Sequence, residues 1–302
     1  MNKKTFFLAS MIALALLAGC TTTDSVDETP ASEVLNFNYN INPTSIRQGD
    51  LSVITMTLTN FYVNPLTEVS VRFEPVFSGI TFSINGPDTI VPGSNGTWII
   101  DVETAPGVIP KDYTFRPIIC FKYSQEKIGF LRVAPNEPST RNVDYSVSTT
   151  GPISIEFNNL RGINALSDYN SLDMTITYDF ADNYNGLTPN LDLDTQTLSN
   201  GVFEIYSNDL SLRALQGSAR IEPTSIIAET NTCRKSVISE LSRCAFTHSD
   251  STRVFANTQF GFRINVAEDL ASELETYFRH ELNYTMCLKP VSDFLLTVVR
   301  AQ

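Results

Sequence analysis

Apolar and polar residues alternate with a period of two along most of this chain, and that pattern leaves little room for anything but β-sheet. Phe37, Tyr39 and Ile41 alternate until Pro43 ends the run. A Gly49-Asp50 turn then leads into Ile54, Met56 and Leu58. Val69, Val71 and Phe73 repeat the pattern, as do Ile80, Phe82 and Ile84. Trp98, Ile100 and Val102 follow a Gly93-Ser94-Asn95-Gly96 turn. Tyr113 and Phe115 open a strand predicted to run to Tyr123, and Ile128 to Val133 forms a last one. Seven or so short strands separated by turn residues predict an antiparallel β-sandwich over residues 35–134.

Ala134-Pro135-Asn136-Glu137-Pro138 opposes both helix and ladder, so residues 135–142 are assigned as a linker. Alternation resumes at Ile153, Ile155 and Phe157, and again at Leu172, Met174, Ile176, Tyr178 and Phe180. It returns at Val202 to Tyr206, Phe260 to Val266, and Leu282, Tyr284 and Met286. A second, larger β-sandwich is therefore predicted over 143–302. Its long insertions are Ala181 to Asn200 and Leu215 to Asp250, with one short helical stretch near Ala267 to Glu275. Thr276-Tyr277-Phe278-Arg279 echoes Tyr113-Thr114-Phe115-Arg116, which suggests a diverged tandem repeat. The fold class is all-β, with two tandem sandwiches.

The N-terminus supplies an address. Lys3 and Lys4 precede an apolar run from Phe6 to Ala18, too short for a comfortable span, and Leu17-Ala18-Gly19-Cys20 follows. This segment resembles a prokaryotic lipoprotein signal peptide. The resemblance implies cleavage after residue 19, lipid on the Cys20 thiol, and a chain held outside the cytoplasm; two or more acyl chains suffice for stable anchoring. Thr21 to Val34, rich in Thr, Asp, Ser and Glu, reads as a flexible tether completing residues 20–34. No later stretch is apolar enough for a transmembrane helix. Removing Lys3 and Lys4 would take the formal charge from −12 to −14. So acidic a chain is a poor partner for nucleic acid, and its contact with a membrane falls to the lipid.

The order of Pro43, Gly49-Asp50, a strand ending at Asn60, Pro92-Gly93 before a Trp98 strand, and Tyr113-Thr114-Phe115 resembles immunoglobulin-like domains of prokaryotic surface proteins. CARDB-type adhesion-related modules are the nearest comparison. That resemblance implies tandem immunoglobulin-like domains, a structural or binding module, and no catalytic residues. Cys120 is the lone cysteine of this region, so the intersheet bridge of antibody domains cannot form within it.

With Cys20 lipidated, four cysteines remain, an even number that suits disulfides outside the cytoplasm. Cys233 with Cys244 is the first choice, because the short polar loop between them lacks a core of its own. Cys120 with Cys287 requires the two domains to dock; the alternative is two separate buried thiols.

Other chemistry is sparse. His248 and His280 are far apart in sequence and read as surface or strand residues, which disfavours zinc. Asn183, Asn185 and Asp192 take EF-hand-like places, but Ala181 sits in the first and the terminal glutamate is missing, leaving calcium a weak candidate. Asp192 and Asp194 could share a strand face as a hydrolase carboxylate pair would, without an aromatic subsite pattern to accompany them. No nucleophile elbow, zinc-protease motif or phosphate loop is present. The sequence therefore reads as a non-enzymatic, lipid-anchored surface protein with a structural, adhesion or envelope-binding role and a protein or glycan partner. The alternative is a solute- or glycan-binding lipoprotein with a pocket near Tyr178, Phe180 and Tyr184; a hydrolase is the third reading.

Overall fold

The computed structural model describes residues 35–134, 146–158, 163–164, 171–181, 184–190, 197–206, 210–214, 233–235, 241–247, 258–266 and 274–301. The described elements are all β-strands. In the first third they are β1 (Leu35–Asn42), β2 (Ser45–Arg47), β3 (Leu51–Asn60), β4 (Thr67–Glu74), β5 (Ile80–Asn85), β6 (Ser94–Thr104) and the 24-residue β7 (Lys111–Ala134). Next come β8 (Ser146–Ser148), β9 (Ile153–Asn158), β10 (Ile163–Asn164), β11 (Ser171–Phe180), β12 (Tyr184–Asn185), β13 (Leu187–Pro189), β14 (Thr197–Tyr206) and β15 (Leu210–Ala214). The last are β16 (Cys233–Lys235), β17 (Leu241–Thr247), β18 (Thr258–Val266), β19 (Leu274–Pro290) and β20 (Phe294–Val299).

Three sheets result. One has the order β12-β1-β3-β6-β5, and a second is β15-β18-β11-β9. The third and largest runs β16-β17-β14-β19-β7-β20-β2, with β4, β8 and β10 also on β7 and β13 on β19. Its spine is β7. Along one side β7 pairs first with β20, from Lys111↔Val298 to Phe115↔Phe294. It then pairs with β19, from Ile119↔Leu288 to Val133↔Leu274. Its other side takes β4 over Arg116 to Lys122.

Side-chain parity shows why two small sheets can lie on this one long sheet. Alternate residues of a strand share a face. Tyr113, Phe115, Ile119, Phe121, Tyr123 and Gln125 of β7 are all buried, as are Phe278, His280, Leu282, Tyr284, Met286 and Leu288 of β19 and Phe294, Leu296 and Val298 of β20. This is one continuous inner face. The β1–β3–β6–β5 sheet covers its first part, adding Phe37, Ile54, Met56, Leu58, Trp98, Ile100 and Val102. Phe73 of β4 stacks on Phe82 of β5 at 4.2 Å between centroids, and Tyr39 of β1 on Phe294 of β20 at 3.8 Å. Such offset or edge contacts add about 0.5–1.5 kcal/mol each beyond area burial. Trp98 is accommodated because Gly86 lies against its indole, where a Cβ would overlap the ring.

The β9–β11 side of the second small sheet covers the rest of the inner face, contributing Ile153, Ile155, Met174, Ile176 and Tyr178. Phe157 meets Phe278 edge-on at 4.7 Å. This half of the core is more polar. Gln125 Nε2 donates to Ile153 O at 2.6 Å, Tyr284 Oη donates to Gln125 Oε1 at 2.8 Å, and Tyr178 Oη lies 2.6 Å from His280 Nε2.

The division at 134 into two separately cored domains is corrected by this arrangement. Residues 35–134 share β7 with the C-terminal strands, Phe294, Leu296 and Val298 complete the first sandwich core, and Glu33–Gln302 forms one compact unit. The turn expected between Tyr123 and Ile128 is likewise absent, because β7 runs straight through it, held along its length by β19. The echoing Tyr113 and Tyr277 segments begin the two long strands, which pair antiparallel with each other. Of the expected helix, Leu274 and Glu275 belong to β19 and the remainder lies outside the described residues, as does the 135–142 linker.

Candidate functional site

Strands β19 and β20 run in the same direction along β7, so β20 is effectively the continuation of β19 after a break. Between the ladder pairs Ile119↔Leu288 and Phe115↔Phe294, three β7 residues, Arg116 to Ile118, face the longer stretch Lys289 to Asp293. Extra residues on one strand make a bulge, a feature over-represented beside functional sites. Pro117 falls in this gap. A proline lacks the N–H that an interior ladder needs, and here β7 changes partners at that residue.

The bulge opens a cleft of about 480 Å³ lined by Glu74, Pro75, Thr114, Phe115, Arg116, Ile118, Asn190, Lys289 and Asp293. Arg116, Ile118, Lys289 and Asp293 have the parity of the outer face, so the cleft lies on the side of the long sheet away from the shared core. Arg116 Nε donates to Asp293 Oδ1 at 2.6 Å across the mouth. Glu74 sits opposite Arg116 on β4 and pairs with Arg72 at 3.3 Å. Ile118 and Asn190 form a buried floor, and the Asn190 backbone N–H donates to Cys287 O at 2.9 Å. A floor of one apolar and one amide side chain, ringed by two cations and two carboxylates, can hold a small ligand carrying both charge signs.

Beside the cleft on the same outer face, Cys120 and Cys287 are joined by a disulfide. They stand directly opposite each other in the β7–β19 ladder, so the docking that this pairing needed comes from the shared sheet. Cys233 and Cys244 are also register partners, on β16 and β17. Cys20 lies outside the described residues.

Most of the other sequence-chosen residues lie outside the described part of the chain. Asn185 sits on β12 opposite Asn36, while Asn183, Asp192, Asp194 and His248 lie outside the described residues. Among the described residues no three His, Cys, Asp or Glu side chains group as metal ligands, and no helix is long and apolar enough to cross a membrane. The pocket sought near Tyr178, Phe180 and Tyr184 is core instead. Tyr178 is fully buried against His280, which is itself buried on β19, and Tyr184 Oη donates to Pro152 O. The sequence reading missed the cleft; its readable signals were Arg116-Pro117 inside an alternating strand and the Pro290-Val291-Ser292-Asp293 break.

Charge elsewhere is held in ladders. Arg279 reaches Glu126 at 2.9 Å, Glu281 at 3.2 Å and Glu204 at 3.6 Å, and its hydrogen bond to Glu126, then the charges of the three glutamates, hold the guanidinium above its ordinary value. Lys127 points inward, donates to Ile155 O and lies 5.2 Å from the Phe157 ring. Burial lowers the pKa of its ammonium, with Glu156 acting the other way. Burial also pushes Tyr123 up to about 12 and raises Tyr62, Tyr178 and Tyr284.

No family model and no curated protein matches the chain. Among solved structures it overlaps the secreted serine protease VesC from Vibrio cholerae at 10% identity and a TM-score of 0.22, covering 85% of this chain and 51% of that one. It overlaps the adhesin InvE of Yersinia pseudotuberculosis at 13% identity and 0.19, covering 77% and 51%. The collagen adhesin CNA from S. aureus is matched at 7% identity and 0.19, covering 89% and 94%. The chain thus spans about half the length of VesC and of InvE. Superpositions at these TM-scores carry no functional argument.

Proposed function

We propose that this chain is a lipid-anchored extracytoplasmic protein with a non-enzymatic structural, adhesive or envelope-binding role. The observation that carries the reading is the Leu17-Ala18-Gly19-Cys20 segment, and the Cys120–Cys287 disulfide, a bond that persists in oxidising compartments, supports it. Lipid on Cys20 supplies the membrane contact, Thr21 to Val34 the spacer, and the disulfide-stapled sheet a stiff body to present a binding surface. Cys20→Ser should leave the protein released from membranes or as an uncleaved precursor. A Cys20→Ser product that still matures and fractionates with membranes overturns the assignment.

The cleft at the β19–β20 bulge favours a second reading, solute binding by the same anchored protein. In that case Ile118→Trp, which fills the cleft floor, would abolish uptake of the solute from an envelope extract without changing membrane fractionation.

A further inference from the structure

The outer face of the β1–β3–β6–β5 sheet is an ordered array of amides and hydroxyls. Strand β1 reads Leu-Asn-Phe-Asn-Tyr-Asn-Ile-Asn, so Asn36, Asn38, Asn40 and Asn42 all take the parity opposite to buried Leu35 and Phe37. Strand register extends this row by row: Asn36, Thr59 and Asn95; then Asn38, Thr57 and Thr97; then Asn40, Thr55, Ile99 and Asn85; then Asn42, Val53, Asp101 and Ser83. Rows repeat about every 6.8 Å along the strands and neighbours about every 4.8 Å across them. Thr59 Oγ1 donates to Asn95 Oδ1 at 2.7 Å, and Thr57 and Thr97 hydroxyls lie 3.4 Å apart, so neighbouring strands hold each other's polar groups in place.

We infer that this face binds a neutral, hydroxyl-rich polysaccharide lying across the strands. The four strands carry no lysine or arginine, and their only carboxylates are Asp101 and Glu103, together at one end of β6. A phosphate- or sulfate-bearing partner would find no counter-charge here. A protein partner would find little apolar or aromatic surface to anchor on, since Val53, Ile99 and Leu51 are the apolar residues of this face. Sugar hydroxyls both donate and accept, as do threonine hydroxyls and asparagine amides, and a repeating polymer can meet a repeating array at many weak contacts. Ile99, exposed in the middle, offers an apolar step for the C–H face of a sugar ring. The inference rests on the surface-protein reading for its setting, and binding itself does not depend on the anchor.

The test is retention of the purified full chain, in detergent, on insoluble cellulose, chitin, curdlan and cross-linked dextran, with heparin beads as the charged comparison. At least one neutral matrix should retain it, and Asn38→Ala/Asn40→Ala/Thr97→Ala should lower that retention tenfold or more with an unchanged unfolding midpoint. Thr97→Glu supplies the same readout if the triple variant does not fold. Retention on none of the neutral matrices, retention on heparin alone, or retention indifferent to these variants overturns the inference. So does a concentration-dependent dimer that Thr97→Glu dissolves, which would make the face a contact between copies. Membrane fractionation of Cys20→Ser is read separately, so failure of the anchor and failure of the glycan face are distinguishable.

Discussion

Breaking the Cys120–Cys287 bond should destabilise the fold by about 5 kcal/mol. The half-cystines are separated by 167 residues, and the loop-closure relation for a denatured chain puts a ring of that size near this figure at 25 °C. Unfolding a unit spanning Glu33–Gln302 at about 2.1 cal/mol/K per residue corresponds to an entropy of about 0.6 kcal/mol/K, so the midpoint should fall by about 9 °C. The native state is spared a large rearrangement, because the β7–β19 ladder pairs continuously on the core side of the break at Pro117 whether or not the sulfurs are joined.

Two comparisons separate the loop effect from packing. Urea unfolding of Cys120→Ala/Cys287→Ala removes this bond alone, while reduced and oxidised wild-type protein share every side-chain atom but the thiol hydrogens. Non-reducing peptide mapping identifies which pairs exist, and should recover Cys120 with Cys287 and Cys233 with Cys244. By the same relation the second, far smaller ring is worth only about 3 kcal/mol. A double-alanine variant within about 1 kcal/mol of wild type, with the 120–287 peptides joined in the wild type, would refute the reasoning and place the bond's role elsewhere than in stability.

Alkaline pH should be a second lever. Tyr123 is held protonated up to about 12 in the fold, against an ordinary phenol value of 10, so the folded state binds more protons above pH 10. Its contribution is complete below pH 10 and is lost as pH rises from 10 to 12, at about 1.4 kcal/mol per pH unit; a urea midpoint flat across that window would contradict the buried tyrosines. Gly86→Ala should cost about 1–3 kcal/mol by forcing a methyl into Trp98, with the emission of this sole tryptophan shifting as its packing loosens. Fragments 35–134 and 143–302 should each fail to unfold cooperatively alone and recover a cooperative transition when co-expressed, because each lacks a long strand of the shared sheet. Cooperative unfolding of 35–134 by itself would restore the two-domain division.

What the sequence made legible was local. Alternation in β3, with Ile54, Met56 and Leu58 inward and Thr55, Thr57 and Thr59 outward, is set by the pleat and needs no partner to be read. The domain division failed for the converse reason. Residues 111–134 alternate as a strand would in either a hairpin or one long ribbon, and only the partner, 140 or more positions away, decides between them. Alternation also marks inward positions without stating what fills them. Gln125, Lys127 and His280 occupy core-facing places that a hydrophobicity pattern skips, because backbone carbonyls of Ile153 and Ile155 and the Tyr178 hydroxyl satisfy them.

The two surfaces that remain for function are separated by the same logic. The cleft between Arg116 and Asp293 exists because β7 changes partners at Pro117, and it opens on the outer face of the long sheet. The Asn and Thr array lies on the outer face of the small sheet, across the first sandwich core from it. Between them lie Phe73, Phe82, Phe115 and Phe294, whose ring centroids sit 4.2 to 6.5 Å apart. Close-packed interiors deform little, so a ligand in the cleft and a polymer on the array need not compete for space or for conformation. A body that binds on both outer faces can bridge two partners at once, and such a bridge is only as strong as the weaker of its two contacts.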